Sequence, residues 1–116
     1  MNKFHIAINP VGSYLVRFKS DTGKTIFYAA TFSTKAACLQ TIAQIRVSVE
    51  RPERFIRKGM ENGRCFFVLQ SEKGRSIGVS EIFDNERTME DAITQLQMTA
   101  PAATLVYDKQ HQDLSK

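Results

Sequence analysis

Few residues in this chain have the chemistry of a catalyst, and their spacing keeps them apart. There are two cysteines, Cys38 and Cys65, and two histidines, His5 and His111. The cysteines form no CxxC pair and have no histidine at ligand spacing, so the sequence encodes no metal centre and implies no cofactor. A nucleophilic thiol needs a base beside it. The histidines stand at the two ends, so a Cys–His pair would require the fold to bring an end onto a cysteine. Both cysteines lie inside apolar patterns and read as buried, reduced thiols that pack like small hydrophobes. Ser80-Glu81 and Lys35 are the other polar groups that could suggest a site. At a strand end and a helix start, they read as local hydrogen-bonding residues. The chain contains no GxSxG, no P-loop, no HExxH and no convincing pair of catalytic carboxylates. It reads as a protein without catalytic residues, not as an enzyme. A small ligand held between parts of the fold is still compatible with the sequence.

The elements that would position a surface are easier to read. The 116 residues are 42% hydrophobic and 24% charged, which fits one soluble domain over residues 1–116 with a core that needs no disulfide. There is no apolar run long enough to cross a membrane, and the first residues lack a secretory-signal pattern, so a cytoplasmic protein without a membrane partner is expected. The net charge of +4 comes from the first 50 residues, where Lys3, Arg17, Lys19, Lys24, Lys35 and Arg46 oppose only Asp21 and Glu50. The densest basic segment runs from Arg51 to Lys58. Such a bias can mark an anionic partner, but four net charges are few for a committed nucleic-acid binder, and an ordinary solvated surface with a modest positive bias is the favoured reading.

Sliding the sequence against itself by 51 positions aligns Phe4 with Phe55, Gly12 with Gly63, Ser20 with Ser71 and Gly23 with Gly74. Ile26 then meets Ile77, Phe32 meets Phe83, and Ile42 meets Ile93. The matches fall where turns and cores constrain residue choice, which marks an internal repeat. In each copy a short strand precedes a hairpin. Tyr14, Val16 and Phe18 alternate with polar residues, as do Cys65, Phe67 and Leu69. Ser20-Asp21-Thr22-Gly23 and Ser71-Glu72-Lys73-Gly74 are turns with glycine where positive φ is needed. The return strands are expected to place Ile26 with Tyr28, and Ile77 with Val79, on the core side. The period then becomes helical. Cys38, Ile42, Ile45 and Val49 form one stripe, and Met89, Ile93, Leu96 and Ala100 form the other. Ser33 and Asp84 are the expected N-caps, and the first helix could end as early as Arg46. A last strand, Thr104 to Tyr107, aligns with Glu53 to Ile56. The repeats cover about residues 4–52 and 55–108, followed by a polar tail, 109–116.

The run from Gly12 to Ile26, GSYLVRFKSDTGKTI, resembles the repeat of the YegP-like family, roughly G-x-Y-Y-F-R-L-K-A-x-N-G-x-x-I. Phe32-Ser33-Thr34-Lys35-Ala36-Ala37 is similar to that family's helix start. Gly74 to Phe83 is similar to its G-x-x-I-x-x-S-E-x-Y stretch. Gln40-Thr41 and Asp91-Ala92 depart from the Asn-Gly that the family carries in its helix. The resemblance spans about residues 4–108. It implies an α+β fold: two tandem β3-α-β repeats forming a single antiparallel sheet, with exchanged C-terminal strands and two helices on one face, a covalent pseudo-dimer. It brings no activity, cofactor or catalytic residue with it.

If the helices cover one face, the other is expected to carry Leu15, Arg17, Lys19, Phe27, Phe66 and Val68, with Arg57 nearby. Leu15, Phe27, Phe66 and Val68 would be an apolar patch for a protein partner or for self-association. Alternatively, Phe27 and Phe66 would stack on bases while Arg17, Lys19 and Arg57 hold phosphates of a nucleic acid. The Gly-aromatic pattern of the common sheet-based RNA binders is absent.

Overall fold

The computed structural model describes residues 1–108. Seven strands form one sheet: β1 (Lys3–Ile8), β2 (Tyr14–Lys19), β3 (Thr25–Phe32), β4 (Phe55–Gly59), β5 (Cys65–Gln70), β6 (Ser76–Ser80) and β7 (Leu105–Tyr107). α1 (Lys35–Ser48) follows β3 and α2 (Glu86–Thr99) follows β6. The sheet order is β4-β5-β6-β3-β2-β1-β7. Both helices lay their apolar stripes, Cys38, Ile42, Ile45 and Val49 and then Met89, Ile93, Leu96 and Ala100, on the same buried core. Neither is long and apolar enough to cross a membrane.

The turns form as their residues dictate. Gly23 N donates to Ser20 O and Gly74 N to Ser71 O, each at 2.9 Å, with φ of 86° and 78° at the two glycines. A side chain at such φ is strained, so glycine closes both hairpins. The N-caps sit one residue later than expected. Thr34 Oγ1 accepts from Ala37 N at 3.1 Å, and Asn85 Oδ1 accepts from Thr88 N at 2.9 Å. Each neighbouring pair, Ser33-Thr34 and Asp84-Asn85, offers two cap-competent residues, and only geometry selects the second. α1 runs on to Ser48, past Arg46.

Two further expectations change. The sheet is mixed, not wholly antiparallel, because β7 lies parallel to β1, with Phe4 opposite Leu105 and Ile6 opposite Tyr107. The chain crosses the helix layer through α2 before it reaches that edge, and such a crossover allows parallel pairing. The return strands also differ. In β3 one extra residue, Ile26, is inserted between the pairs Phe18↔Phe27 and Lys19↔Thr25. In β6, Ile77 is inserted between Leu69↔Gly78 and Gln70↔Ser76. A bulge re-aims the side chains that follow it. Phe27 and Ala29 therefore enter the core, Gly78 and Ser80 face it, and Tyr28 and Val79 turn to the other face. Ile26 and Ile77 still pack against the core edge.

The join between the β1–β3 and β4–β6 halves is narrow. β3 and β6 pair only at Phe27↔Ser80 and Tyr28↔Val79. Phe27 reaches across it, fully buried, and stacks on Phe67 with centroids 5.9 Å apart. It passes over Gly78, where an added Cβ would stand 2.1 Å from Phe27 Cζ. Phe27 and Gly78 are also 51 positions apart, so only one of these two matched sites can carry a ring.

Candidate interaction surface

Among the described residues, the cysteines, His5, Ser80 and Lys35 are each buried or engaged by a neighbour. Cys38 and Cys65 are buried, and burial raises both thiols above their ordinary pKa, helped at Cys65 by Glu86 and then Glu90. Buried, protonated thiols are poor nucleophiles. The native protein is expected to react with Ellman's reagent only as fast as it unfolds, with both thiols appearing in concentrated guanidinium chloride; rapid reaction of the folded protein would refute this. His5 Nδ1 lies 2.8 Å from Asp108 Oδ1, away from either cysteine's place in the core. His111 lies outside the described residues. Buried Ser80 accepts from Phe67 N at 2.9 Å and donates to Glu81 O at 2.7 Å. Lys35 Nζ sits over the Tyr107 ring, 5.0 Å from its centroid.

The face away from the helices is organised by cross-strand pairing. A single line of opposed residues crosses all seven strands: Ile56, Val68, Val79, Tyr28, Arg17, His5 and Val106. Directly paired side chains on one face touch, so this line is a continuous strip. All seven are partly buried. On the β4–β6 side the strip is apolar, flanked by Phe66, which pairs with Lys58. On the β1–β3 side it is cationic: Arg17 is flanked by Lys3 and Lys19, which oppose each other, and by Leu15 opposite Ala7. Asp108, just past β7, closes on His5 at this end, while both helices pack on the opposite face.

Leu15, Arg17, Lys19, Phe66 and Val68 thus share one face, as expected. Phe27 does not; the bulge at Ile26 sends it into the core at 0% exposure. Arg57 also leaves the set. It pairs with Phe67 across β4–β5, which puts it on the helix side, where Nε and Nη2 donate to the Glu90 carboxylate at 2.5 and 2.9 Å. Tyr28, Val79, Ile56, His5 and Val106 of the strip are not among the expected residues. For Ile56 and His5 the signal was simple alternation from Phe55 and Phe4; for Tyr28 and Val79 it was hidden by the bulges.

The Arg57 hydrogen bonds hold Glu90 below the usual carboxylate range. A depressed folded pKa means the pair contributes above the unfolded carboxylate pKa, and the contribution is lost as pH falls through the folded one. Both side chains are nearly half exposed, so solvent screening keeps the gain to about 0.5 kcal/mol. Glu90→Gln should lower stability by that amount at neutral pH and be indistinguishable from the parent in acid. Equal urea midpoints at neutral pH would exclude a stabilising pair.

No family model matches the sequence. UPF0339 protein YegP of Escherichia coli is 25% identical over 87 residues, covering 75% of this chain and 79% of that protein. UPF0339 protein PA0329 of Pseudomonas aeruginosa is 24% identical over 103 residues, covering 89% and 94%. The solution structure of yegP from E. coli, a protein of unknown function, superposes with a TM-score of 0.84 at 20% identity, over 95% of this chain and 94% of that one. UPF0339 protein SO3888 from Shewanella oneidensis gives a TM-score of 0.84 at 13% identity, over 91% and 90%.

Proposed function

We propose that this chain, similar in sequence and fold to the YegP proteins, is a non-enzymatic interaction module that docks a protein partner on the helix-free face of its sheet. The observation that carries the reading is the strip from Ile56 to Val106, apolar at one end and cationic at the other. A partner surface with an apolar centre and an acidic rim complements it. Covering Val68, Val79 and Ile56 would stabilise a complex by the removal of apolar area from water, about 1.5–3 kcal/mol for each well-buried aliphatic side chain. Acidic groups opposite Arg17, Lys3 and Lys19 would relieve cation–cation proximity and speed encounter. Two copies meeting through this face would set the cationic end against either the other copy's apolar end or its cationic end, neither of which neutralises Arg17, Lys3 and Lys19, so a different, acidic protein is the better occupant.

We further read the two halves as repeats, about residues 4–52 and 55–108, fused into one domain as a covalent pseudo-dimer. The matched turns at Gly23 and Gly74 and the matched bulges at Ile26 and Ile77 support this.

The nucleic-acid reading loses two of its named residues, because Phe27 is buried and Arg57 is paired with Glu90. One experiment separates the readings. Purified chain is used to capture proteins from native cells, and the captured partner is purified and rebound. Val68→Glu and Arg17→Glu should each weaken rebinding at least tenfold, with nuclease treatment having no effect. Rebinding unchanged in both variants, or abolished by nuclease, would overturn the proposal.

A further inference from the structure

The two seams between helix and hairpin are built alike and finished differently. Where α2 ends over the β2–β3 turn, the first residues of the chain lie in the seam. Asn2 Nδ2 donates to Gln95 Oε1 and Thr99 Oγ1, each at 3.1 Å, and the Met1 nitrogen meets the Asp21 carboxylate. Where α1 ends over the β5–β6 turn, the matched positions are Gln44, Ser48 and Glu72. Here the seam is an open groove of about 720 Å³.

The charge of the open seam is more positive, by the loss of one acid and the gain of one base. Asp91, Thr22 and Lys24 of the filled seam correspond at 51 positions to Gln40, Lys73 and Arg75 of the open one. Arg54 adds a third cation, resting on buried Ser48 through Nη1 to Oγ at 3.2 Å, and Glu72 is the one acid among the lining residues. Among the described residues, Gln40, Gln44, Lys73 and Arg75 have no side-chain hydrogen bond or ion pair. At Ser76 and Ile77 the groove continues into a second cleft of about 270 Å³, where β3 and β6 part beyond Tyr28↔Val79. That cleft is lined by Tyr28, Phe32, Ile77 and Val79.

We propose that this groove is a binding site for a short, extended, acidic peptide segment of a partner protein, taking the place that Met1–Asn2 takes in the other seam. Its carboxylates meet Arg54, Lys73 and Arg75. The carboxamides of Gln40 and Gln44 are donors and acceptors for its backbone; in the other seam Gln95 and Thr99 accept from the Asn2 side chain. A following apolar residue enters the β3–β6 cleft. The groove shares no residue with the helix-free strip and only the cleft touches it, through Tyr28 and Val79, so loss of binding in the groove variants is distinguishable from failure of the docking proposed on that face.

The test is a titration of the ¹⁵N-labelled full chain with the capped peptide Glu-Glu-Leu-Phe at low salt. Saturable shifts at Gln40, Gln44 and Ser76 are expected, weakened at least tenfold by Lys73→Glu combined with Arg75→Glu, both exposed turn residues that the fold does not use. The capped peptide Lys-Lys-Leu-Phe should give no saturable shift there. The proposal is overturned if the acidic peptide leaves these residues unmoved, or moves only the helix-free face. It is also overturned if inorganic phosphate or a single-stranded oligonucleotide at equal concentration reproduces the same shifts, or if the double variant binds as tightly as the parent.

Discussion

Gly78→Ala should destabilise the protein by about 3 kcal/mol, the upper end for overpacking, although it adds a single methyl group. The new Cβ would lie 2.1, 2.6 and 2.9 Å from three carbons of the Phe27 ring. That ring cannot step aside, because it is fully buried and stacked on Phe67. Phe27→Leu in the same chain should recover most of the loss, giving a coupling energy of at least about 1.5 kcal/mol in a double-mutant cycle. Urea unfolding of the four proteins checks this. Additive effects would mean that the ring does not pin the two halves together.

Phe67→Ala should cost more, about 4 kcal/mol. Phe67 is the hub of the aromatic core. It stacks with Phe27 and with Phe83 at 6.3 Å, and meets Phe55 edge-on at 5.4 Å. These contacts join β5 to β4, to β3 and to the bridge at Phe83, so truncation opens a cavity touching both halves. A domain of this size has only about 5–15 kcal/mol in hand. With an ordinary urea dependence, the midpoint should fall by roughly 2 to 3 M. A shift below roughly half a molar would show that the cluster is not what holds the two halves of the sheet together.

Much of this architecture was legible in residue order. The alternation of Tyr14, Val16 and Phe18, and of Cys65, Phe67 and Leu69, marks the right strands and the right inner face. The stripes beginning at Cys38 and Met89 mark the helices. What failed was local and had one main cause. A bulge adds one residue to a strand, and a strand has period two, so every later side chain changes face. Ile26 looks like an ordinary inward residue in the sequence; only its pairing shows it to be the extra one. The exchange of Phe27 for Tyr28 on the candidate surface follows directly. Arg57 is a different error: counting by twos from Phe55 already places it on the helix side. The parallel seating of β7 depends on where α2 delivers the chain, which no local pattern encodes.

These corrections sharpen the candidate surface. Losing Phe27 and Arg57 while gaining Tyr28, Val79, Ile56, His5 and Val106 turns a scattered basic and aromatic patch into a strip with an apolar end and a cationic end. That polarity favours a protein with an acidic rim over the evenly spaced charge of a nucleic-acid backbone.

Site-specific photocrosslinking tests the role of this face most directly. A benzoylphenylalanine placed at Val68 projects from the strip, and one placed at Thr94, on the exposed side of α2, serves as the control. Irradiation in native cells should give a discrete protein adduct from position 68, resistant to nuclease, lost with Arg17→Glu and absent from position 94. No adduct at 68, or one that nuclease removes, would contradict docking of a protein on the helix-free face.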